Sequence, residues 1–125
     1  MERPCHCGAA KSFTECCEPK IKGTQKALTS EELMRSRYSA YCIHNADYLM
    51  ATTHSSTQKD HNKADMLSFA TTNHWVKLEI IKSSETIVEF KAYYLDSSLV
   101  PQIHHEVSTF KKEGDNWFYV DGEWC

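Results

Sequence analysis

HWVKLEIIKSSETIVEFKAYYL, residues 74–95, is where the hydrophobic period of the chain changes from that of a helix to that of a strand. Val76, Leu78 and Ile80 alternate with Lys77 and Glu79, and Val88, Phe90, Ala92 and Tyr94 alternate with Glu89, Lys91 and Tyr93. A period of two with one apolar side predicts antiparallel strands that are buried on one face. Downstream, further strands are expected over residues 103–111 and 117–121, with Glu113-Gly114-Asp115-Asn116 as the hairpin turn between them.

Upstream of Asn73 the pattern is helical. In LTSEELMRSRYSAYCIHNADYLMATTH, residues 28–54, Thr29 with Glu32 three residues on makes a capping box. From there Leu33, Met34, Tyr38, Tyr41 and Cys42 fall in one arc of a helix wound at about 100° per residue. Arg37 projects inside that arc and Arg35 lies at its edge. A guanidinium on an apolar face needs a carboxylate or a wet cavity. Asp47 and Glu106 are the expected salt-bridge partners, and a ligand contact is the functional alternative. Asn45 should end this helix, Asp47 should cap a short second one, and a third is expected over residues 65–72. His54 and His61 fall in the polar segment between and are expected to face solvent. Helices first and strands afterwards argue an α+β fold with the helices on one face of a sheet.

The third strand does not sort cleanly. Ile103, His105, Val107 and Thr109 share one face, and His104, Glu106, Ser108 and Phe110 share the other. Either face carries a group capable of acid–base or hydrogen-bond work inward. His105 and Glu106 are the candidate catalytic residues, and with Arg37 and Tyr38 they form the candidate ligand site.

Four of the six cysteines lie within residues 5–17, CHCGAAKSFTECC. The spacing Cys5-x-Cys7, eight residues, Cys16-Cys17 offers two short turns of soft ligands, as structural zinc sites do. His6 and Glu15 are neighbouring alternatives, but four thiolates fill the coordination shell and leave no open position for water. Unliganded thiols and a redox pair are the competing readings. Adjacent cysteines bridge each other rarely, and the C-x-x-C redox motif is absent. Iron suits a Cys₄ site as well as zinc. These residues resemble the SEC-C motif, with Cys5, Cys7, Gly8, Lys11, Phe13, Cys16 and Cys17 in place. His6, Ala9-Ala10, Ser12, Thr14 and Glu15 depart from it, which thins its basic contact surface. The resemblance implies a zinc knuckle over residues 1–22, joined by a connector to a main domain over residues 29–125.

LMRSRYSAYCIHNADYLMATTH, VEFKAYY, HHEVSTF and NWFYVDG, in that order after a SEC-C motif, resemble the YchJ-like family of small bacterial proteins. The resemblance implies a cone-shaped nuclear transport factor 2-like, or cystatin-like, domain. In that fold three N-terminal helices and a curved antiparallel sheet surround a cavity. Thr109 stands where the family's motif has arginine, and Cys125 is an isolated thiol.

Composition narrows the function. Residues 1–28 carry five Lys/Arg against three Asp/Glu, and the remainder nine against fourteen. Four thiolates on one Zn²⁺ would cancel the basicity of the first segment. No basic face for duplex nucleic acid is visible. No apolar run would serve as a signal peptide or a membrane span, so a cytoplasmic protein is expected. The two resemblances imply two functions as expectations. One is a binding or adaptor protein that docks a protein partner through the knuckle and holds a small molecule in the cavity. The other is a small cavity enzyme of isomerase, dehydratase or hydrolase type. Such domains also pair through their sheets, so a homodimer is an expectation too.

Overall fold

A computed structural model describes residues 4–124; Cys125 lies outside the described residues. The chain forms α1 (Cys17–Lys22), α2 (Ser30–Cys42), α3 (Ala46–Ala51) and α4 (Lys63–Thr72), then β1 (His74–Ser83), β2 (Ile87–Leu95), β3 (Pro101–Glu113) and β4 (Asn116–Trp124). The strands make one antiparallel sheet in sequence order. This is the α+β arrangement expected from the change of period at Asn73.

α2 begins as the capping box predicts. Thr29 Oγ1 accepts from the Glu32 N–H at 3.1 Å, and Glu32 Oε1 accepts from the Leu28 N–H at 3.1 Å. The helix ends at Cys42, and His44 then takes a left-handed φ of 63° to turn the chain. Asn45, rather than Asp47, caps α3 by accepting from the Tyr48 N–H at 3.0 Å. Asp47 instead pairs with Lys63 of α4.

α2 lies across the inner face of the sheet, where Leu33, Met34 and Tyr38 meet Leu78, Val88, Phe90, Phe110 and Trp117. Leu49 of α3 and Met66 and Ala70 of α4 are buried behind it. After α3 the chain pairs in parallel with β4. The His54 N–H donates to Tyr119 O at 2.7 Å, and the Tyr119 N–H donates to Thr52 O at 2.8 Å.

Three expectations of face fail, the first at His61, which lines the cavity beside the sheet with its ring 6.1 Å from that of Tyr119. A bulge between Trp75 and Lys77 gives Val76 no partner on β2. Val76 is therefore 60% exposed, and Trp75 takes the inward direction in its place. His54 is buried rather than solvent-facing. Its Nδ1 accepts from the Ser56 N–H at 3.0 Å, and its Nε2 lies 2.7 Å from Glu113 Oε1.

The N-terminal segment packs against the main domain. α1 runs from Cys17 to Lys22 and is closed by Gly23 at φ 83°. Cys5, Cys7, Cys16 and Cys17 belong to the same buried cluster as Leu33, Met34 and Tyr38. Arg35 fastens the two parts: Nη1 donates to Cys7 O at 2.7 Å, and Nε donates to Glu31 at 3.0 Å.

Candidate metal centre and cavity

The four cysteines are buried, and their Sγ atoms all lie within 4.8 Å of one another. Cys7 and Cys16 are 3.7 Å apart, and Cys16 and Cys17 3.9 Å. A zinc–thiolate bond of about 2.3 Å gives a tetrahedron with edges near 3.8 Å, whereas a disulfide needs about 2.05 Å. The spacing fits a metal and excludes a bridge between these pairs. Two turns create it. The Cys5 N–H donates to Lys11 O at 2.8 Å, and Gly8, at φ 90°, closes the first turn with its N–H on Cys5 O at 3.1 Å. Ser12 caps a 3₁₀ turn over Phe13–Glu15 that delivers Cys16 and Cys17 from the other side.

Without a cation Cys16 and Cys17 hold their protons. Hydrogen bonds from Cys17 and Cys7 push Cys5 far down, while Cys17 is pushed up chiefly because it donates to Cys5. Burial, followed by the charges on Cys7 and Cys5, pushes Cys16 up to about 11. Four thiolates at these distances therefore require a divalent cation, and its binding releases protons. Cys5, Cys7, Cys16 and Cys17 would hold it. With all four positions filled, it would supply cross-linking rather than catalysis.

Between α2, α4 and the sheet lies a cavity of about 400 Å³. One wall is aromatic. Trp75 touches Tyr41 and Phe69 at ring separations of 5.4 Å and Tyr94 at 5.2 Å. Tyr38 packs edge-on to Trp75 at 6.1 Å, and burial pushes its phenol pKa up. The other wall is polar and comes from β3 and β4.

Glu106 anchors the polar wall. Oε1 lies 2.7 Å from His104 Nε2, and Oε2 accepts from Ser108 Oγ at 2.5 Å and Tyr119 Oη at 3.0 Å. Burial pushes its carboxyl up, but the hydrogen bonds from His104 and Ser108, with the His104 charge and Tyr119 behind them, outweigh it and leave the pKa lowered. An ionised Glu106 makes His104 Nε2 the donor. Nδ1 is buried without a partner among the described residues, and the Trp124 ring lies 3.9 Å from the His104 ring.

The expected cluster is thus partly met. Arg37, Tyr38 and Glu106 line the cavity. His105 does not: it lies on the outer face and meets Glu89 at 2.7 Å. The cavity histidine is His104, one residue earlier. The period of two had set His104, Glu106, Ser108 and Phe110 on one face, and Phe110, 1% exposed, is the residue whose burial turns that face inward. Thr109 belongs to neither the cavity nor its polar wall, so the family's arginine at that position is not missing from this site.

Arg37 takes neither predicted carboxylate. Glu106 is occupied by His104, Ser108 and Tyr119, and Asp47 by Lys63. Nη1 donates to Leu49 O at 2.9 Å and Thr52 Oγ1 at 2.7 Å, and the guanidinium lies 4.5 Å above the centre of the Tyr119 ring. Burial pulls its pKa down, yet an arginine stays charged at neutral pH.

Gly122 carries no signal in the sequence, but the site depends on it. A Cβ there would stand 1.9 Å from Glu106 Oε2 and 2.4 Å from its Cδ. The missing side chain is the space that the carboxylate occupies.

Comparison with known proteins agrees with this architecture. Residues 29–122 match the family model described as "YchJ, middle NTF2-like domain". The chain is 40% identical to a UPF0225 protein of Geobacter sulfurreducens, with 98% of this chain and 80% of that one aligned. It is 38% identical to a UPF0225 protein of Vibrio cholerae, covering 95% and 82%. A SEC-C motif containing protein from Rhodopseudomonas palustris superposes with a TM-score of 0.89 at 29% identity, covering 100% and 99% of the two chains. Another from Psychrobacter arcticus gives 0.78 at 29% identity, covering 97% and 81%. On the family match and the curated relatives together, the chain belongs to the YchJ-like family, with a SEC-C-type cysteine cluster set against a nuclear transport factor 2-like domain.

Proposed function

We propose that the protein binds a small molecule in the cavity between α2, α4 and the sheet, and that zinc on Cys5, Cys7, Cys16 and Cys17 is structural. The observation that carries the reading is the convergence of Arg37, His104 and Glu106 on a cavity otherwise walled mainly by aromatic and apolar side chains. Mostly apolar pockets with a few converging polar groups are the usual form of a ligand site. Burying charged groups beside an open volume costs stability, which a bound molecule recovers.

The test is a fragment screen by ¹H–¹⁵N NMR on the zinc-loaded chain, repeated with Ala92→Leu. Ala92 is 4% exposed and lines the cavity, so the larger side chain fills it. Shifts centred on Trp75, His104 and Tyr119 that vanish in the variant support the reading; binding that ignores Ala92→Leu overturns it.

Docking of a protein on the knuckle is a second reading. It is favoured by the exposed His6 ring set edge-on to Phe13 at 5.4 Å, outside the sulfur cluster. His6→Ala should then abolish partner capture while zinc content and the cavity shifts stay unchanged.

A further inference from the structure

The cavity holds a cation whose hydrogen-bonding capacity is only partly used. Among the described residues only Nη1 of Arg37 has acceptors. Nε and Nη2 have none among the described residues, and neither is sealed inside protein. Those two nitrogens form the edge of a guanidinium that grips a planar two-oxygen anion with parallel hydrogen bonds. The Tyr119 ring lies under the guanidinium, 4.5 Å from Cζ to its centroid.

We infer that the cavity's ligand is a monoanionic carboxylic acid with a flat, ring-bearing body, its carboxylate held on the Nε–Nη2 edge of Arg37. This rests on the small-molecule reading above and adds the ligand's chemical class to it. Charge selects the monoanion. Arg37 is the one arginine on the cavity wall and no lysine joins it among the described residues, while Glu106, His61 and His104 are the other titratable groups there besides the tyrosines. A phosphate dianion would find one fixed positive charge, whereas a single carboxylate matches it and restores the ion pair that Arg37 lacks. The body follows from the opposite wall, where Tyr41, Phe69 and Trp75 offer ring faces and edges. A volume of about 400 Å³ suits a mono- or bicyclic skeleton.

The test uses pairs matched in shape that differ only at the head group, a two-oxygen anion against a neutral amide: benzoate with benzamide, and naphthoate with naphthamide. Each is titrated calorimetrically into the zinc-loaded full chain. The expected result is a carboxylate that binds at least tenfold more tightly than its amide. In Arg37→Lys, which keeps the charge and loses the fork, that ratio should collapse to less than threefold. If that variant is not folded by circular dichroism, the acid–amide ratio in the unaltered protein still decides. Equal affinities for acid and amide overturn the carboxylate assignment and leave the small-molecule reading standing. Failure of both members of both pairs to bind overturns that reading and the assignment with it.

Discussion

Gly122→Ala should unseat Glu106 and cost the protein about 3 kcal/mol. The new methyl would stand 1.9 Å from Glu106 Oε2, 2.4 Å from Cδ and 2.7 Å from Cγ, so no rotation of the terminal carboxylate relieves the overlap. The whole side chain must leave, losing the hydrogen bonds from Ser108, Tyr119 and His104. Hydrogen bonds to a charged group contribute about 1.5–3 kcal/mol each and are not additive, which sets the estimate. For a domain of this size that corresponds to roughly 10–15 °C in melting temperature. The assay is a double-mutant cycle on the zinc-loaded protein, followed by urea denaturation. With Glu106→Ala in place the overlap is gone. Gly122→Ala should then change stability by less than about 0.5 kcal/mol, because alanine suits a strand at least as well as glycine. An equal cost in both backgrounds would refute the reasoning, since it would place the strain in the backbone of β4 rather than in the carboxylate.

Cys16→Ser should abolish stoichiometric zinc in native mass spectrometry and loosen α2 as well as the N-terminal segment, because the sulfurs share a cluster with Leu33, Met34 and Tyr38; unchanged amide exchange in α2 would argue for a separable knuckle. Arg35→Ala removes the hydrogen bond to Cys7 O and should weaken zinc roughly tenfold in a competition titration, the lower end of what outer-shell partners contribute. The folded pKa of Glu106 lies below its ordinary value, so its contribution is complete above the unfolded value near 4.5 and is lost as pH falls through the folded one. Zinc release also acts in acid, so the measurement is the difference between wild type and Glu106→Gln. That difference should shrink below about pH 4.5, and a constant gap down to pH 3 would contradict the assignment.

Much of this architecture is written in local pattern. The capping box at Thr29, the change of period after Asn73 and the hairpin at residues 113–116 each follow from neighbours in the chain, and the paired cysteine turns state their own chemistry. What escaped depends on partners distant in sequence. Val76 continues the alternation of Leu78 and Ile80, and only the pairing with β2 makes it the extra residue of a bulge. His104 and His105 are equally polar neighbours, so the cavity histidine follows from which face Phe110 buries. The partners of Arg37 were misjudged because a backbone carbonyl, a threonine hydroxyl and a ring face carry no charge to suggest them. Gly122 matters through an atom it lacks, opposite a side chain sixteen positions earlier.

α2 serves two masters on one rigid rod. Ser39 lies 3.6 Å from Cys5 Sγ and Arg35 holds Cys7, while Met34, Arg37, Tyr38 and Tyr41 of the same helix line the cavity. A helix cannot shift one side and leave the other in place, so a cation on the four cysteines and a molecule in the cavity would be linked through α2. By reciprocity, whatever factor a cavity ligand added to zinc affinity, zinc would add to the ligand's.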